Sequence, residues 1–204
     1  MTLFTTSKPD AVAHTCVVVF DKTHAVSFRH GQHSSLEIAE PVTLYNVLDP
    51  SMRVETVVHA VSDSYDIVVF KMVKGEFSNY PHALGSIFRG QTYKQLGICS
   101  QREHTWKEGT VAERRVGFFV GSSYGKIDDS GSGIFNYAGH FLGISVAKKS
   151  FVFNDCQNMP IAEVADHFSD TKIISSDTIL TISEIIGPDA EFDPPKKKHA
   201  SGAN

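Results

Sequence analysis

The stretch Asp128-Asp129-Ser130-Gly131-Ser132-Gly133 is the most informative part of the sequence, and a strand-like run at 133–136, a Gly139 turn and a second apolar run at 141–147 follow it. Its small residues allow a tight turn that exposes the Ser130 hydroxyl. The same turn can direct the backbone N–H groups of Asp128 and Ser130 toward one point, as stabilisation of an oxyanion requires. A Ser-Gly run alone is as often an ordinary loop, so its meaning depends on the rest of the chain.

Two upstream segments supply what a reactive serine needs. A serine hydroxyl is a poor nucleophile at neutral pH, and it requires a base within reach plus a group that fixes the tautomer of that base. In Ala25-Val-Ser-Phe-Arg-His30-Gly31 a strand ends on a histidine, and in Asp66-Ile-Val-Val-Phe-Lys71 an aspartate opens an apolar strand. The order histidine, aspartate, serine makes His30 the candidate base, Asp66 its partner and Ser130 the nucleophile.

Each of these candidates has a neighbour that competes for its role. The alternatives are His33 for the base, Asp63 for the aspartate and Ser132 for the nucleophile. His33 does not end a strand, Asp63 lies before its strand, and Ser132 fits the turn itself. All three therefore rank lower.

Short strand-like runs separated by turn signals cover the chain up to about residue 155. Such runs, with no long amphipathic helix between them, are typical of a β-sandwich or β-barrel. Residues 78–90, with Pro81 and two glycines, break the rhythm and predict a link between two halves. The predicted strands are 15–20, 24–28, 42–46, 53–60, 67–73, 91–99, 109–113, 116–120, 133–136 and 141–147.

A helical pattern appears only late in the chain. Residues 160–168 place Ile161, Val164 and Phe168 on one face, with Pro160 in the first turn. Residues 177–186 are ambiguous, because Asp177 suits a helix cap while the β-branched residues suit a strand equally well. The tail at 188–204 is polar, charged and rich in proline, which predicts disorder.

Composition narrows the class of protein. The 204 residues are 41% hydrophobic and 21% charged, with a net charge of −4, and an acidic chain argues against a nucleic-acid partner. No apolar run approaches the ~18 residues of a membrane span, and the N-terminus lacks the pattern of a secretory signal. Three cysteines, in neither zinc-site nor disulfide spacing, indicate a reducing, cytoplasmic location. We expect no metal and no cofactor.

The His30, Asp66 and Ser130 segments together resemble the chymotrypsin-like, or trypsin-like, serine proteases. The closest likeness in style is to the viral 3C-like serine proteases and to short intracellular trypsin-like proteins, over about residues 13–170. The resemblance implies an all-β fold of two packed six-stranded antiparallel β-barrels with a short C-terminal helix. It assigns residues 1–80 to the first barrel, 81–156 to the second, 157–187 to a C-terminal helix and extension, and 188–204 to a disordered tail. Residues 90–99 resemble the first strand of the second barrel and 158–168 the closing helix.

The resemblance also implies a site and an activity. It makes the chain a serine endopeptidase that acts on a protein or peptide, with polyprotein processing as its task if the source is viral. The implied catalytic residues are His30, Asp66 and Ser130, and the implied oxyanion-hole amides are those of Asp128 and Ser130. The implied walls of the specificity pocket are Tyr124, Gly125, Ser145, Val146 and Ala147.

Two positions depart from the family pattern. Asp128 stands where the family usually has glycine, which leaves open an inactive double barrel that binds peptides or proteins without turnover. Ser145 stands where the viral enzymes that cut after Gln or Glu usually have histidine, so the sequence does not assign a cleavage site.

Overall fold

The structure is a computed structural model that describes residues 3–99, 102–124, 129–146 and 170–186. Within these ranges it contains twelve β-strands, a short 3-10 helix at Gly31–His33 and one α-helix, α1, at Ser176–Ile186. The strands are β1 (Leu3–Thr5), β2 (Val17–Val19), β3 (His24–Phe28), β4 (Pro41–Asn46), β5 (Arg53–Ser62), β6 (Ile67–Met72), β7 (Thr92–Ile98), β8 (His104–Arg115), β9 (Phe118–Tyr124), β10 (Gly133–Phe135), β11 (Phe141–Val146) and β12 (Asp170–Ser175).

The first barrel closes in the order β1-β2-β3-β6-β5-β4, with antiparallel pairing throughout. Its strands are short runs of β-branched and aromatic residues, and these side chains pack well on a pleated surface. Leu44, Val58, Val68 and Phe70 are fully buried in its interior. The barrel therefore has a core of its own.

The second barrel closes in the order β10-β11-β12-β9-β8-β7, again antiparallel. The connection from β6 to β7 contains the 78–90 segment and touches this barrel where the Phe141 amide donates to the Ala83 carbonyl at 3.0 Å. The predicted fold of two six-stranded antiparallel barrels followed by a short helix is confirmed.

Several predicted boundaries are wrong. The strand β12 lies within 157–187, which the sequence analysis assigns to a helix and extension, and it belongs to the second barrel. The strand β1 was not predicted, because its three residues are not part of a longer apolar run, as those of β2 are. Val116 is fully exposed beside Gly117, whose φ of 82° marks a turn, so β9 begins later than expected.

The C-terminal predictions have mixed outcomes. The ambiguous segment 177–186 is helical and forms most of α1. The predicted helix at 160–168 and the predicted disordered tail at 188–204 lie outside the described residues. No helix among the described residues is long and apolar enough to cross a membrane.

A separate apolar cluster joins the two barrels. It combines Val18 and Phe20 of the first barrel with Leu96 and Ile144 of the second, and α1 adds Ile179. The rings of Phe20 and Phe141 stack across the junction with centroids 5.9 Å apart. The two barrels are therefore joined by a continuous apolar core rather than by a hinge between loosely linked domains.

The helix α1 fastens the end of the second barrel to the first. His59 on β5 donates a hydrogen bond from Nε2 to the Ser183 carbonyl at 3.1 Å. Because α1 follows directly after β12 of the second barrel, this contact links the second barrel to β5 of the first.

Replacement of Phe141 by alanine tests whether the junction contributes to stability. Phe141 is fully buried, whereas Phe88 is 61% exposed. We expect Phe141→Ala to lower the free energy of unfolding by about 3–5 kcal/mol, and Phe88→Ala to change it by less than about 0.5 kcal/mol. Urea titrations of both variants measure this. Equal effects would contradict the proposed importance of the junction.

Candidate active site

The pairing of β3 with β6 brings His30 and Asp66 together. Phe28 at the end of β3 lies opposite Ile67 at the start of β6. The residues that follow β3 and the residue that precedes β6 must therefore be neighbours. The Arg29 amide donates to the Asp66 carbonyl at 3.0 Å, which extends the ladder by one step.

Two hydrogen bonds fix the His30 ring against the Asp66 carboxylate. His30 Nδ1 lies 2.6 Å from Asp66 Oδ2, and the His30 amide donates to Asp66 Oδ1 at 2.8 Å. A carboxylate only accepts hydrogen bonds, so the ring hydrogen of neutral His30 lies on Nδ1. The lone pair of Nε2 is then left facing the other way.

Asp66 occupies a backbone conformation that few residues adopt. Its φ of 58° lies in the left-handed region, which aspartate tolerates better than most residues. Burial alone would raise the pKa of its carboxyl, but hydrogen bonds from the His30 ring and from the His30 and Arg29 amides outweigh burial and lower that pKa. Asp66 is therefore held as a carboxylate beside the ring.

Ser130 reaches the same point from the second barrel. Its Oγ lies 3.4 Å from His30 Nε2. This separation is at the long end of the range for a hydrogen bond. The structure thus lines up Asp66, His30 and Ser130, which are far apart in sequence, in the order carboxylate, imidazole, hydroxyl.

The Gly131 conformation allows this approach. Gly131 has a φ of 84°, and a Cβ built on it would lie 2.2 Å from the Cys16 carbonyl oxygen of the first barrel. No residue with a side chain fits there without movement of the backbone. Its amide donates to the Ser145 carbonyl at 2.8 Å, and the Ser145 amide donates to the Ser132 carbonyl at 2.8 Å. The turn is therefore fixed against both barrels.

His33, the competing histidine, is fully engaged in the core. Its Nδ1 lies 2.7 Å from the Phe28 carbonyl and its Nε2 lies 2.7 Å from Thr6 Oγ1. The carbonyl can only accept, so Nδ1 donates and Nε2 accepts from the hydroxyl of Thr6. Burial is the main cause of a lowered pKa for His33. The residue is a structural histidine that links Thr6, just after β1, to the end of β3.

The other two competitors also lie away from the His30 ring nitrogens. The Asp63 side chain is 87% exposed and pairs with Arg29 Nε at 3.1 Å. Ser132 is fully buried, and its amide donates to the Asp129 carbonyl at 3.0 Å as part of the turn.

The residues predicted to line the specificity pocket are only partly described. Ser145 and Val146 are the last two residues of β11, and both are buried. The backbone of Ser145 forms hydrogen bonds with Gly131 and Ser132 in the turn that carries Ser130. Tyr124 ends β9 opposite Asp170, but its side chain lies outside the described residues. Gly125, Asp128 and Ala147 also lie outside them.

A cavity of about 200 Å³ opens beside the Ser130 hydroxyl and the His30 ring. Phe28 forms its apolar wall, and Ala13–Thr15 of the loop between β1 and β2 close one side. Sequence analysis missed this loop, because nothing in residues 6–16 shows a period or a motif. Its position depends on hydroxyl contacts such as Thr6 Oγ1 with Thr15 Oγ1 at 2.6 Å.

A second feature that the sequence analysis missed lies behind the nucleophile turn. Asp129 is only 5% exposed and forms an ion pair with Lys107 of β8. Alternation along β8 places Lys107 on the same face as Gly109, which packs against Tyr93 inside the barrel. That alternation is the signal in the sequence that could have revealed an inward lysine.

The described part of the chain holds no metal-binding cluster. No group of three or more His, Cys, Asp or Glu side chains in that part could bind a metal ion. The chemistry that the site itself offers is transfer of a proton from a hydroxyl to an imidazole backed by a carboxylate.

Comparison with known proteins reveals similarity in structure rather than in sequence. No protein-family model and no curated protein sequence matches the chain. Its structure is similar to that of a serine endoprotease from Yersinia pestis, with a TM-score of 0.64 and 14% identity over 90% of this chain and 61% of that one. This chain thus spans less than two thirds of the length of the Yersinia protease.

Two further structures are of more similar length. The Rv3671c protease of M. tuberculosis in an inactive form has a TM-score of 0.62 and 15% identity, over 91% of this chain and 88% of that one. The MamO protease domain of Magnetospirillum magneticum has a TM-score of 0.58 and 14% identity, over 86% and 90%. At these identities the likeness establishes the fold, which is that of the chymotrypsin-like proteases. The closer likeness to viral 3C-like enzymes rests on the sequence motifs alone.

Replacement of Gly131 tests whether its close approach to Cys16 builds the site. Gly139 is a matched control, because its φ is 80° and a Cβ there would meet nothing within 4 Å. We expect Gly139→Ala to lower the free energy of unfolding by about 1–2 kcal/mol from backbone strain. Gly131→Ala adds a clash with backbone and should exceed this by about 2 kcal/mol. Equal losses in a urea titration would contradict the packing described for Gly131.

The lowered pKa of Asp66 predicts how stability depends on pH. A depressed folded-state pKa stabilises the fold above the unfolded value of about 3.9, and this contribution is lost as pH falls through the folded pKa. The difference in the free energy of unfolding between wild type and Asp66→Asn should therefore shrink as pH falls below about 4. A difference that does not vary with pH would contradict the lowered pKa.

Proposed function

We propose that this chain is a serine endopeptidase that cleaves peptide bonds through an acyl-enzyme on Ser130. The observation that carries the proposal is the position of His30 between Asp66 Oδ2, at 2.6 Å, and Ser130 Oγ, at 3.4 Å. The chymotrypsin-like fold supports it, and the structurally similar proteins are proteases.

Acylation follows from the tautomer of His30. Ser130 Oγ attacks the scissile carbonyl carbon while its proton moves to His30 Nε2, which has a free lone pair because Nδ1 holds the hydrogen toward Asp66. The Asp66 carboxylate stabilises the imidazolium that forms. His30 then gives the proton to the departing amine as the carbon–nitrogen bond breaks, and the acyl group remains on Ser130.

Deacylation repeats the same proton transfers with water. Water attacks the acyl carbon as its proton passes to His30 Nε2, and the carbon–oxygen bond to Ser130 then breaks as His30 returns the proton to Oγ. No metal or organic cofactor takes part in this proposal. The products are a carboxylic acid and the amine released earlier.

The proposed oxyanion hole uses two backbone amides. The first amide is that of Ser130, the proposed nucleophile itself. The second amide is that of Asp128, assigned by the resemblance in sequence. Amide donors aimed at this charge contribute about 3–4 kcal/mol each to transition-state stabilisation in enzymes of this chemistry.

The substrate of the proposed enzyme is a protein or peptide. The cavity beside Ser130 and His30 would take residues on one side of the scissile bond. On the other side, Tyr124, Gly125, Ser145, Val146 and Ala147 are the proposed walls of the specificity pocket. The low cysteine count supports a cytoplasmic location, and polyprotein processing is the proposed task if the source is viral.

Loss of single side chains tests the proposed roles. We expect Ser130→Ala and His30→Ala each to lower the rate of peptide cleavage by about 10⁴-fold or more, and Asp66→Asn by about 10⁴-fold. The measurement is cleavage of a proteome-derived peptide library, read out by mass spectrometry of new termini.

Ser132→Ala is the matched control, since it removes a hydroxyl in the same turn, two residues away. It should cleave within about tenfold of wild type. Cleavage that persists in Ser130→Ala would overturn the proposal. Peptides that bind wild type and Ser130→Ala equally, with no cleavage by either, would instead identify an inactive double barrel that binds peptides.

A further inference from the structure

The ion pair between Lys107 and Asp129 lies directly behind the nucleophile turn. Asp129 immediately precedes Ser130, and its side chain is 7% exposed, while that of Lys107 is 21% exposed. Burial of a carboxylate without a partner costs free energy, and a cation beside it offsets part of that cost. Lys107 supplies that cation from β8, a strand of the same barrel.

Lys107 reaches Asp129 from a rigid position. It lies on β8 directly opposite Gln95 of β7, which is 1% exposed. The strands β7 and β8 pair over seven consecutive residues without a bulge. The ammonium group is therefore held by the barrel wall rather than by a loop.

The backbone of Asp129 is part of the turn that carries Ser130, so a fixed Asp129 also fixes that turn. Its carbonyl accepts the Ser132 amide at 3.0 Å, which closes the turn around Ser130 and Gly131. The Asp129 carboxylate also lies close enough to Cys16 of the first barrel for its charge to add to burial in raising the pKa of that thiol. The carboxylate thus sits where the turn meets both barrels.

We propose that Lys107 is a positioning residue: its ion pair with Asp129 holds the Ser130 turn in the geometry that places the Ser130 hydroxyl against the His30 ring. This rests on the proposed function, since it concerns the nucleophile of the same reaction. The contact by which Lys107 reaches the nucleophile is its ion pair with Asp129, the residue that immediately precedes Ser130. Loss of the pair should therefore affect the reaction of Ser130 rather than the binding of peptide.

Two substitutions separate positioning from simple stability. Lys107→Met removes the cation but leaves a buried unpaired carboxylate, which alone can unfold the protein. The double variant Lys107→Met with Asp129→Asn removes both charges of this pair, so neither of the two is left without the other. The control is Lys94→Met on the neighbouring strand, where Lys94 Nζ forms a pair with Glu108 Oε1 at 4.0 Å and both side chains are well exposed.

The rate at which a fluorophosphonate labels Ser130 is the first measurement. We expect the double variant to fold and to label about 100-fold more slowly, because an error of ~1 Å in placement costs about that factor. Lys107→Arg, which keeps the charge, should recover most of the rate, and Lys94→Met should not change it. The affinity of a non-cleaved peptide for the Ser130→Ala background should be the same with and without the Lys107 and Asp129 changes. A double variant that labels at the wild-type rate would overturn the proposal.

Amide hydrogen exchange is the second measurement, and it does not depend on activity. The Gly131 and Ser132 amides, which donate to Ser145 and Asp129, should exchange faster in the double variant, while the Gly139 amide of a distant turn should not change. If wild type is not labelled at all, the proposed function fails and the exchange data alone decide on Lys107. Unchanged exchange at Gly131 and Ser132 would overturn its positioning role.

Discussion

The close approach of Gly131 to the Cys16 carbonyl is the constraint on which the rest of the site depends. A side chain at this point would overlap the backbone of the first barrel, so only glycine lets the second barrel come near enough. The stacked rings of Phe20 and Phe141 and the helix contact from His59 to Ser183 maintain the same junction. The distance from Ser130 to His30 is thus set by packing between two barrels, neither of which could build the site alone.

Different parts of the fold position the three residues of the site. His30 and Asp66 are placed by the local register of β3 with β6, and their hydrogen bonds are short. Ser130 is placed by a turn whose amides, carbonyls and preceding aspartate are tied to β8, β11 and the first barrel. The imidazole is therefore rigid with respect to its carboxylate, whereas its distance to the hydroxyl depends on how well the turn is held.

The sequence is sufficient to predict the barrels and the three candidate residues. It is not sufficient to predict β1, β12 or the contacts that surround the site. Strands such as β6 show an apolar run with a polar start, while β1 is not part of a longer apolar run and β12 comes directly after the predicted helix at 160–168. His30 is distinguished from His33 by the strand that it follows, but the reason His33 is excluded, its two hydrogen bonds in the core, exists only in three dimensions. The Lys107–Asp129 pair joins residues on separate elements, and no local pattern predicts such a pair.

The most direct test of the central claim is the site at which a fluorophosphonate becomes attached to the native protein, mapped by mass spectrometry of its peptides. If Ser130 is activated by His30, the label lies on Ser130 alone and is lost when His30 is replaced by alanine. An unlabelled native protein, or a label on Ser132 or another serine that survives loss of His30, would contradict the account and favour a double barrel that binds without turnover.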